Sequence, residues 1–170
     1  MSVKRLLVVV DMQNDFVTGA LGTAEAQAIL PAVRALIARE RAAGSDVAFT
    51  LDTHGADYLS TREGRMLPVP HCIRGTQGWL LADGLDAADA RIFEKPTFGS
   101  VPLAEYARAY DEVVLCGVCT DICVVSNALL IKAFSPESKV MAVESACAGA
   151  TPAAHAAAIE TMKSCQIVIL

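Results

Sequence analysis

Short apolar runs alternate with longer amphipathic segments along most of this chain. The run at residues 113–116 is uninterrupted and rich in β-branched residues, which is typical of a strand covered on both faces of a sheet. Together the apolar runs predict strands at residues 6–10, 47–51, 91–94, 113–116, 139–143 and 166–170. Helical spacing predicts helices at residues 25–41, 101–110, 121–133 and 152–164. This alternation indicates a three-layer α/β fold with a mostly parallel central sheet.

Residues 55–90 interrupt this alternation with an irregular, glycine- and proline-rich segment. The only helical stretch predicted there is a short one around residues 80–85. A loop of this length inside a compact domain usually has a function. It contains Glu63, His71 and the only tryptophan, Trp79.

The segment at residues 113–125 predicts a buried strand, a turn at Gly117 and the start of a helix. Thr120 or Asp121 is placed to cap that helix, and Cys123 then lies in its first turn. A helix N-terminus tends to lower a thiol pKa, and its free N–H groups can stabilise an oxyanion. The alternative is that Cys123 is simply a small buried apolar residue.

Asp11, Lys95 and Cys123 each follow a predicted parallel strand, so they are expected at the same edge of the sheet. A cysteine can attack a carbonyl carbon, an aspartate can move the proton, and a lysine can stabilise the charges. Because no histidine stands near these positions, a Cys–His pair is not indicated. Asp11 considered alone is equally explained as a turn or cap residue.

A second group of chemically active residues comprises Asp52, His54, Glu63 and His71. Asp52 and His54 share one side of the chain at a strand end, because residues i and i+2 point the same way. Two imidazoles with two carboxylates suit Zn²⁺, Fe²⁺ or Mn²⁺. The alternative is a hydrogen-bonded pair without a metal. His155, on the last helix, is interpreted as an ordinary surface or half-buried residue.

The composition indicates one domain, spanning residues 1–170. The chain is 54% hydrophobic with a mean hydropathy of +0.42, enough to bury a full core. Lysine and arginine number 14 against 19 aspartates and glutamates, which gives a net charge of −5. This mild acidity argues against nucleic acid or an anionic membrane as a partner. The expected partner is a small molecule.

The six cysteines are interpreted as free thiols in a reducing cytoplasm. The apolar run at residues 6–10 is too short for a signal-peptide core, and no run approaches the roughly 18 residues of a membrane span. Cys116 and Cys119 form a C-x-x-C pair. Because Cys116 lies inside a predicted strand, a redox motif is not favoured.

Three segments resemble motifs of one known family: VVDMQNDF at residues 9–16, EKP at residues 94–96 and GVCTDICV at residues 117–124. The family is the cysteine hydrolases of the isochorismatase-like fold, and within it the nicotinamidases. The resemblance implies that Cys123 is the nucleophile, that Asp11 is the general base and acid, and that Lys95 completes the triad. It also implies a cis peptide bond between Val118 and Cys119.

The resemblance also implies the surroundings of the substrate. The backbone N–H groups of Cys119 and Cys123 would form the oxyanion hole, and Val118 and Cys119 would contact the substrate. Phe16 would pack on its ring, and Phe98 would close the other side. Where several relatives have a large aromatic residue, this chain has Pro68, which changes the expected pocket wall.

Nicotinamidases bind a divalent metal beside the triad, and Asp52, His54 and His71 match its ligands. Glu63 falls where some relatives have a further ligand. Zinc is the first choice of metal, with iron or manganese as alternatives. The metal would bind the pyridine nitrogen of nicotinamide and direct the carboxamide towards Cys123. The implied reaction is nicotinamide plus water to nicotinate plus ammonia through a thioester, in a protein expected to form homo-oligomers. Pyrazinamide is a further expected substrate.

Three alternatives remain open. The first is a metal-independent amidohydrolase of the same family that acts on maleamate, an N-carbamoyl compound or biuret. The second is a non-catalytic binding protein, which would predict a broken triad. The third is a thiol redox protein that uses Cys116, Cys119 and Cys123. The isochorismatase branch that cleaves vinyl ethers lacks the nucleophilic cysteine, so Cys123 argues against it.

Overall fold

The computed structural model describes residues 3–170, and within them six parallel strands form one sheet in the order β3-β2-β1-β4-β5-β6. The strands are β1 (Arg5–Val10), β2 (Asp46–Asp52), β3 (Arg91–Lys95), β4 (Glu112–Val118), β5 (Lys139–Ala148) and β6 (Val168–Ile169). Every pairing between neighbouring strands is parallel. The predicted three-layer α/β fold is confirmed.

Of the six helices in the described residues, four correspond to predicted helices, whereas the two short ones at residues 14–17 and 62–66 were not predicted. In chain order they are α1 (Asn14–Val17), α2 (Ala24–Ala42), α3 (Arg62–Met66), α4 (Val101–Ala107), α5 (Val125–Phe134) and α6 (Pro152–Ser164). The helix predicted at 80–85 is wrong, because the 3₁₀ turn before it ends at Trp79 and residues 82–85 form turns and irregular backbone. The predicted 101–110 helix is three residues too long.

The core lies on both faces of β1, the strand at the centre of the sheet. Its residues from Leu6 to Val10 are all fully buried, as the uninterrupted apolar run predicted. The direction of strand order reverses between β1 and β4. At such a switch point the connections leave a crevice at the carboxyl ends of the strands, which is where open α/β sheets bind ligands.

Among residues 3–170, no helix is long and apolar enough to cross a membrane. The six cysteines are all free within the same range.

Gly117 allows β4 to pass close to β1 at this switch point. Its φ is +114°, and a Cβ atom there would lie 2.1 Å from the carbonyl oxygen of Val10 and 2.8 Å from its nitrogen. Only glycine adopts such a conformation at low cost. Because both obstructing atoms belong to the central strand, no side-chain rotation can relieve the clash.

Gly117→Ala should therefore lower the free energy of unfolding by more than about 4 kcal/mol, the range of severe backbone and packing defects. Gly44→Ala is the matched control. Gly44 has φ +82° but nothing within 4 Å of its added Cβ, so the loss there should be about 1–2 kcal/mol, the cost of the left-handed conformation alone. Urea denaturation monitored by circular dichroism measures both values. Equal losses in the two variants would contradict the proposed clash.

Candidate active site

Four adjacent strand ends bring the two predicted groups together. Sheet order places the ends of β3, β2, β1 and β4 side by side. Lys95 ends β3, Asp52 ends β2, and these two residues are direct register partners. Asp11 follows β1, and Cys123 follows β4. Residues far apart in sequence therefore meet at one edge of the sheet, as the strand-end pattern predicted.

The ammonium group of Lys95 lies at the centre of this arrangement. Its Nζ is 2.6 Å from Asp11 Oδ2, 3.4 Å from Cys123 Sγ and 3.6 Å from Asp52 Oδ1. The side chain is only 1% exposed. Burial opposes the charged form, but the neighbouring Asp11, Cys123 and Asp52 outweigh it and hold the pKa of Lys95 above its ordinary value. Lys95 is therefore a fixed positive charge.

Asp11 is fully buried, and it forms hydrogen bonds with Thr50 as well as the ion pair with Lys95. The Thr50 hydroxyl donates to Asp11 Oδ1 at 2.6 Å, and the Asp11 backbone N–H donates to Thr50 Oγ1 at 3.2 Å. Its φ of +47° is unusual for a residue other than glycine. Burial raises the pKa of Asp11, Lys95 lowers it, and Asp52 raises it again, with a net rise. This carboxylate is consequently a better proton acceptor than an exposed aspartate.

Cys123 lies in a π-helical turn, Thr120–Val124, immediately before α5. The sequence predicted a lowered thiol pKa at this helix start. That expectation is wrong, because burial and then the negative charge of Asp11 raise the pKa of Cys123 well above its ordinary value. Burial also raises the pKa of Cys119 to about 12. The raised pKa favours the thiol form of Cys123, so a reaction at its sulfur would require a proton acceptor.

The predicted helix cap at Thr120 or Asp121 is also wrong, since neither side chain caps this turn. Both point towards the segment that follows β5. Thr120 Oγ1 lies 2.8 Å from His155 Nδ1, and Asp121 Oδ1 accepts the Ala150 N–H at 2.8 Å. Side-chain bonds to α6 and to the loop before it thus hold the turn that contains Cys123. His155 is partly buried, as expected.

Asp52, His54, Glu63 and His71 form a compact group whose potential ligand atoms all lie within 4.8 Å of one another. His54 Nε2 is 3.0 Å and His71 Nε2 is 3.4 Å from Asp52 Oδ2. Glu63 Oε1 is 3.7 Å from His54 Nε2 and 3.9 Å from His71 Nε2. Four donors at such separations can share one ion with metal–ligand distances of about 2.0–2.2 Å.

The protonation pattern of this group also suits a cation. His71 Nδ1 lies 2.8 Å from the Val69 carbonyl oxygen, so this nitrogen must donate. In neutral His71 the lone pair of Nε2 then faces the Asp52 carboxylate, and two acceptors repel unless a positive charge lies between them. Although burial opposes the charged form, the neighbouring His54, His71 and Lys95 together hold the pKa of Asp52 below its ordinary value. The residues present fit a divalent metal.

A cavity of about 360 Å³ connects the two groups. Its walls include Phe16, Phe98, Cys119 and Cys123. The Phe16 ring centroid lies 5.5 Å from that of His71, so an aromatic wall stands beside the metal group. Val118 is buried at the end of β4 and does not line this cavity. The peptide bond between Val118 and Cys119 is cis, as the resemblance implied.

Two buried amide side chains that the sequence did not single out hold the site together. The Gln13 amide donates to the backbone oxygens of Asp52 and Trp79 at 2.9 and 2.8 Å, and its oxygen accepts the Asp52 N–H at 2.8 Å. Asn127 donates to the Cys123 oxygen at 2.8 Å and the Phe98 oxygen at 3.1 Å. Except for Cys123, which is four residues from Asn127, their partners are backbone atoms distant in sequence. The sequence alone could therefore have indicated only the contact between Asn127 and Cys123.

Asn127→Ala should lower the free energy of unfolding by about 2–4 kcal/mol, because it removes these two bonds and also the acceptor of the Ser100 N–H. Asn14→Ala is the matched control. Its amide makes one exposed bond to the Gln77 oxygen, and the loss there should be below about 1 kcal/mol. Urea denaturation measures both. A loss at Asn127 no larger than at Asn14 would contradict a role in holding the site.

The sequence and the structure were both compared with known proteins. The isochorismatase domain model matches residues 5–170, and no curated protein sequence gave a significant match. A pyrazinamidase of Pyrococcus horikoshii in complex with zinc is 32% identical, with TM-score 0.87 and 98% of each chain covered. A nicotinamidase/pyrazinamidase of Bacillus subtilis is 29% identical, with TM-score 0.84 and 98% of each chain covered.

A third similar structure has a different amide as its substrate. N-carbamoylsarcosine amidase of Thermoplasma acidophilum is 26% identical, with TM-score 0.80, over 98% of this chain and 95% of that one. These relatives support a hydrolase that acts on amides. Since the domain model covers almost the whole chain, this protein belongs to the isochorismatase family.

Proposed function

We propose that this protein is a nicotinamidase, which converts nicotinamide and water to nicotinate and ammonia. One observation carries the proposal: the Lys95 ammonium contacts Asp11, Cys123 and Asp52, and so joins the triad and the metal group. A pyridine carboxamide suits both parts of the site, because its amide carbon can react with the thiol while its ring nitrogen binds the metal. The nicotinamidase and pyrazinamidase neighbours support the same substrate class.

The proposed chemistry begins at the Cys123 thiol. Its sulfur attacks the amide carbon while Asp11 takes the thiol proton, which the raised pKa values of both groups favour as one concerted step. The backbone N–H groups of Cys119 and Cys123 stabilise the oxyanion. Asp11 returns the proton to the departing ammonia. Water then hydrolyses the thioester, with Asp11 as base, and releases nicotinate.

Asp52, His54, Glu63 and His71 would hold one divalent ion, with zinc preferred and iron or manganese as alternatives. The bound ion would supply a positive charge and an open coordination position for the ring nitrogen. Phe16 and Phe98 both line the cavity, and we propose that they pack against the ring of the substrate. Pyrazinamide, which also has a ring nitrogen and a carboxamide, is the second proposed substrate.

A metal-independent amidohydrolase is the second candidate. The likeness to N-carbamoylsarcosine amidase favours it, since that enzyme hydrolyses a non-aromatic substrate on the same fold. The compact group of four metal-ligand residues argues for the nicotinamidase instead. Substrate and metal requirement together distinguish the two candidates.

The purified protein should release ammonia from nicotinamide. Chelation should abolish this activity, and added Zn²⁺, Fe²⁺ or Mn²⁺ should restore it, because ring binding depends on the ion. A coupled ammonia assay and metal analysis by mass spectrometry measure both. A protein that binds no metal and leaves nicotinamide intact, but hydrolyses an N-carbamoyl amide, would favour the second candidate.

A separate variant and its control test the assignment of the metal ligands. His54→Ala should lose the metal and raise KM for nicotinamide, because one of the four ligands is removed. His155→Ala removes the histidine outside the group and should keep the metal. An unchanged metal content in His54→Ala would contradict the ligand assignment.

Cys123→Ala should reduce kcat by at least about 10⁴-fold, the usual scale for loss of a covalent nucleophile, while circular dichroism remains unchanged. Cys165→Ala is the matched control, since Cys165 is exposed and far from the site. It should retain full activity. Mass spectrometry of the quenched enzyme should detect the nicotinoyl thioester only in proteins that retain Cys123. Activity retained by Cys123→Ala would move the nucleophile elsewhere, with Cys119 as the first candidate.

A further inference from the structure

A second, larger cavity adjoins the substrate cavity. It measures about 630 Å³, against about 360 Å³ for the substrate cavity. Four residues line both spaces: Glu63, Leu67, Phe98 and Ile122. The two spaces therefore share a wall, and we call the larger one the side groove.

The side groove has apolar walls that are open to solvent. Met66, at the end of α3, is 79% exposed, and Phe98 is 45% exposed. Leu67, Pro96 and Ile122 complete most of the apolar lining. Large exposed apolar side chains gathered around a concave space are typical of a ligand-binding groove. Unbranched methionine adapts to ligands of different shape.

The residues that line the two spaces show where each space lies relative to Cys123 and the metal group. Cys119 and Cys123 line the substrate cavity alone, whereas His54 lines the side groove alone. Glu63 stands between them. Glu63 of the metal group and the apolar Leu67, Phe98 and Ile122 therefore form a wall that the two spaces share. A pyridine carboxamide with its amide at Cys123 and its ring nitrogen at the metal group would lie beside this shared wall.

We propose that the side groove binds an apolar substituent on the ring of the substrate, attached at carbon 5 or carbon 6. These are the two ring carbons that are not adjacent to the carboxamide-bearing carbon. The inference rests on the proposed function and extends it to ring-substituted pyridine carboxamides. The reaction is unchanged: the amide C–N bond breaks, ammonia leaves, and water supplies the carboxylate oxygen.

The test compares nicotinamide with its 5-phenyl, 6-phenyl and 4-phenyl derivatives. The wild-type protein should hydrolyse the 5-phenyl or the 6-phenyl compound with kcat/KM within tenfold of that for nicotinamide. The 4-phenyl isomer places the same group beside the carboxamide, away from the side groove. Its kcat/KM should be at least 100-fold below that of the better isomer.

Thr97→Trp adds a large side chain to the side groove at an exposed position that belongs to neither the triad nor the metal group and does not line the substrate cavity. It should lower kcat/KM for the better phenyl isomer at least tenfold and change that for nicotinamide less than twofold. Thr161→Trp is the matched control, on an exposed position of α6 outside both spaces. It should leave every substrate unaffected.

The outcomes separate this inference from the proposed function. Absence of activity on nicotinamide would overturn the proposed function itself. Activity on nicotinamide without activity on either distal isomer would overturn only the inference. In that case light scattering would show whether a second copy of the chain covers the side groove. Equal activity of wild type and Thr97→Trp on the better isomer would also overturn it, because the substituent would then lie elsewhere.

Discussion

The buried ammonium of Lys95 is the interaction on which the rest of the site depends. It is within 2.6 Å of one carboxylate and 3.6 Å of another. A buried carboxylate without a partner would be neutral or destabilising, since removing a charge from water costs several kcal/mol. Lys95 favours the ionised form of Asp11 beside the thiol that, in the proposed mechanism, Asp11 deprotonates. The same charge orders Asp52 through its Oδ1 atom, which leaves Oδ2 facing the two histidines.

One lysine does not balance the whole cluster. Asp11, Asp52 and Glu63 contribute three negative charges when ionised, and Lys95 contributes one positive charge. Burial and then the negative charge of Asp52 raise the pKa of Glu63, as expected where carboxylates lie close together. A divalent ion among Asp52, Glu63 and the two histidines would remove this excess and relieve the contact between His71 Nε2 and the Asp52 carboxylate. The charge balance therefore supports the proposed metal independently of the family resemblance.

The sequence predicted the fold and the membership of the cluster well, because both follow from short-range patterns. Uninterrupted apolar runs predicted the strands, and the polar residues directly after them predicted what meets at the sheet edge. The thiol pKa was predicted in the wrong direction, because its sign depends on the burial of Cys123 and its distance to Asp11. Gln13 was missed for a related reason: its partners are backbone atoms 39 and 66 residues away.

The two parts of the site differ in how firmly they are held. Asp11, Asp52, Lys95 and Cys123 extend from the ends of paired parallel strands or from the turn beside them, where backbone hydrogen bonds fix their positions. The outer wall comes instead from α3 and the segment after β3, which place exposed apolar side chains beside the cavity. In the proposed enzyme, substitutions in this outer wall would alter which ring fits without moving Asp11, Lys95 or Cys123. Reaction type and substrate range would then be determined by different segments of the chain, of which only the first is tied to the sheet.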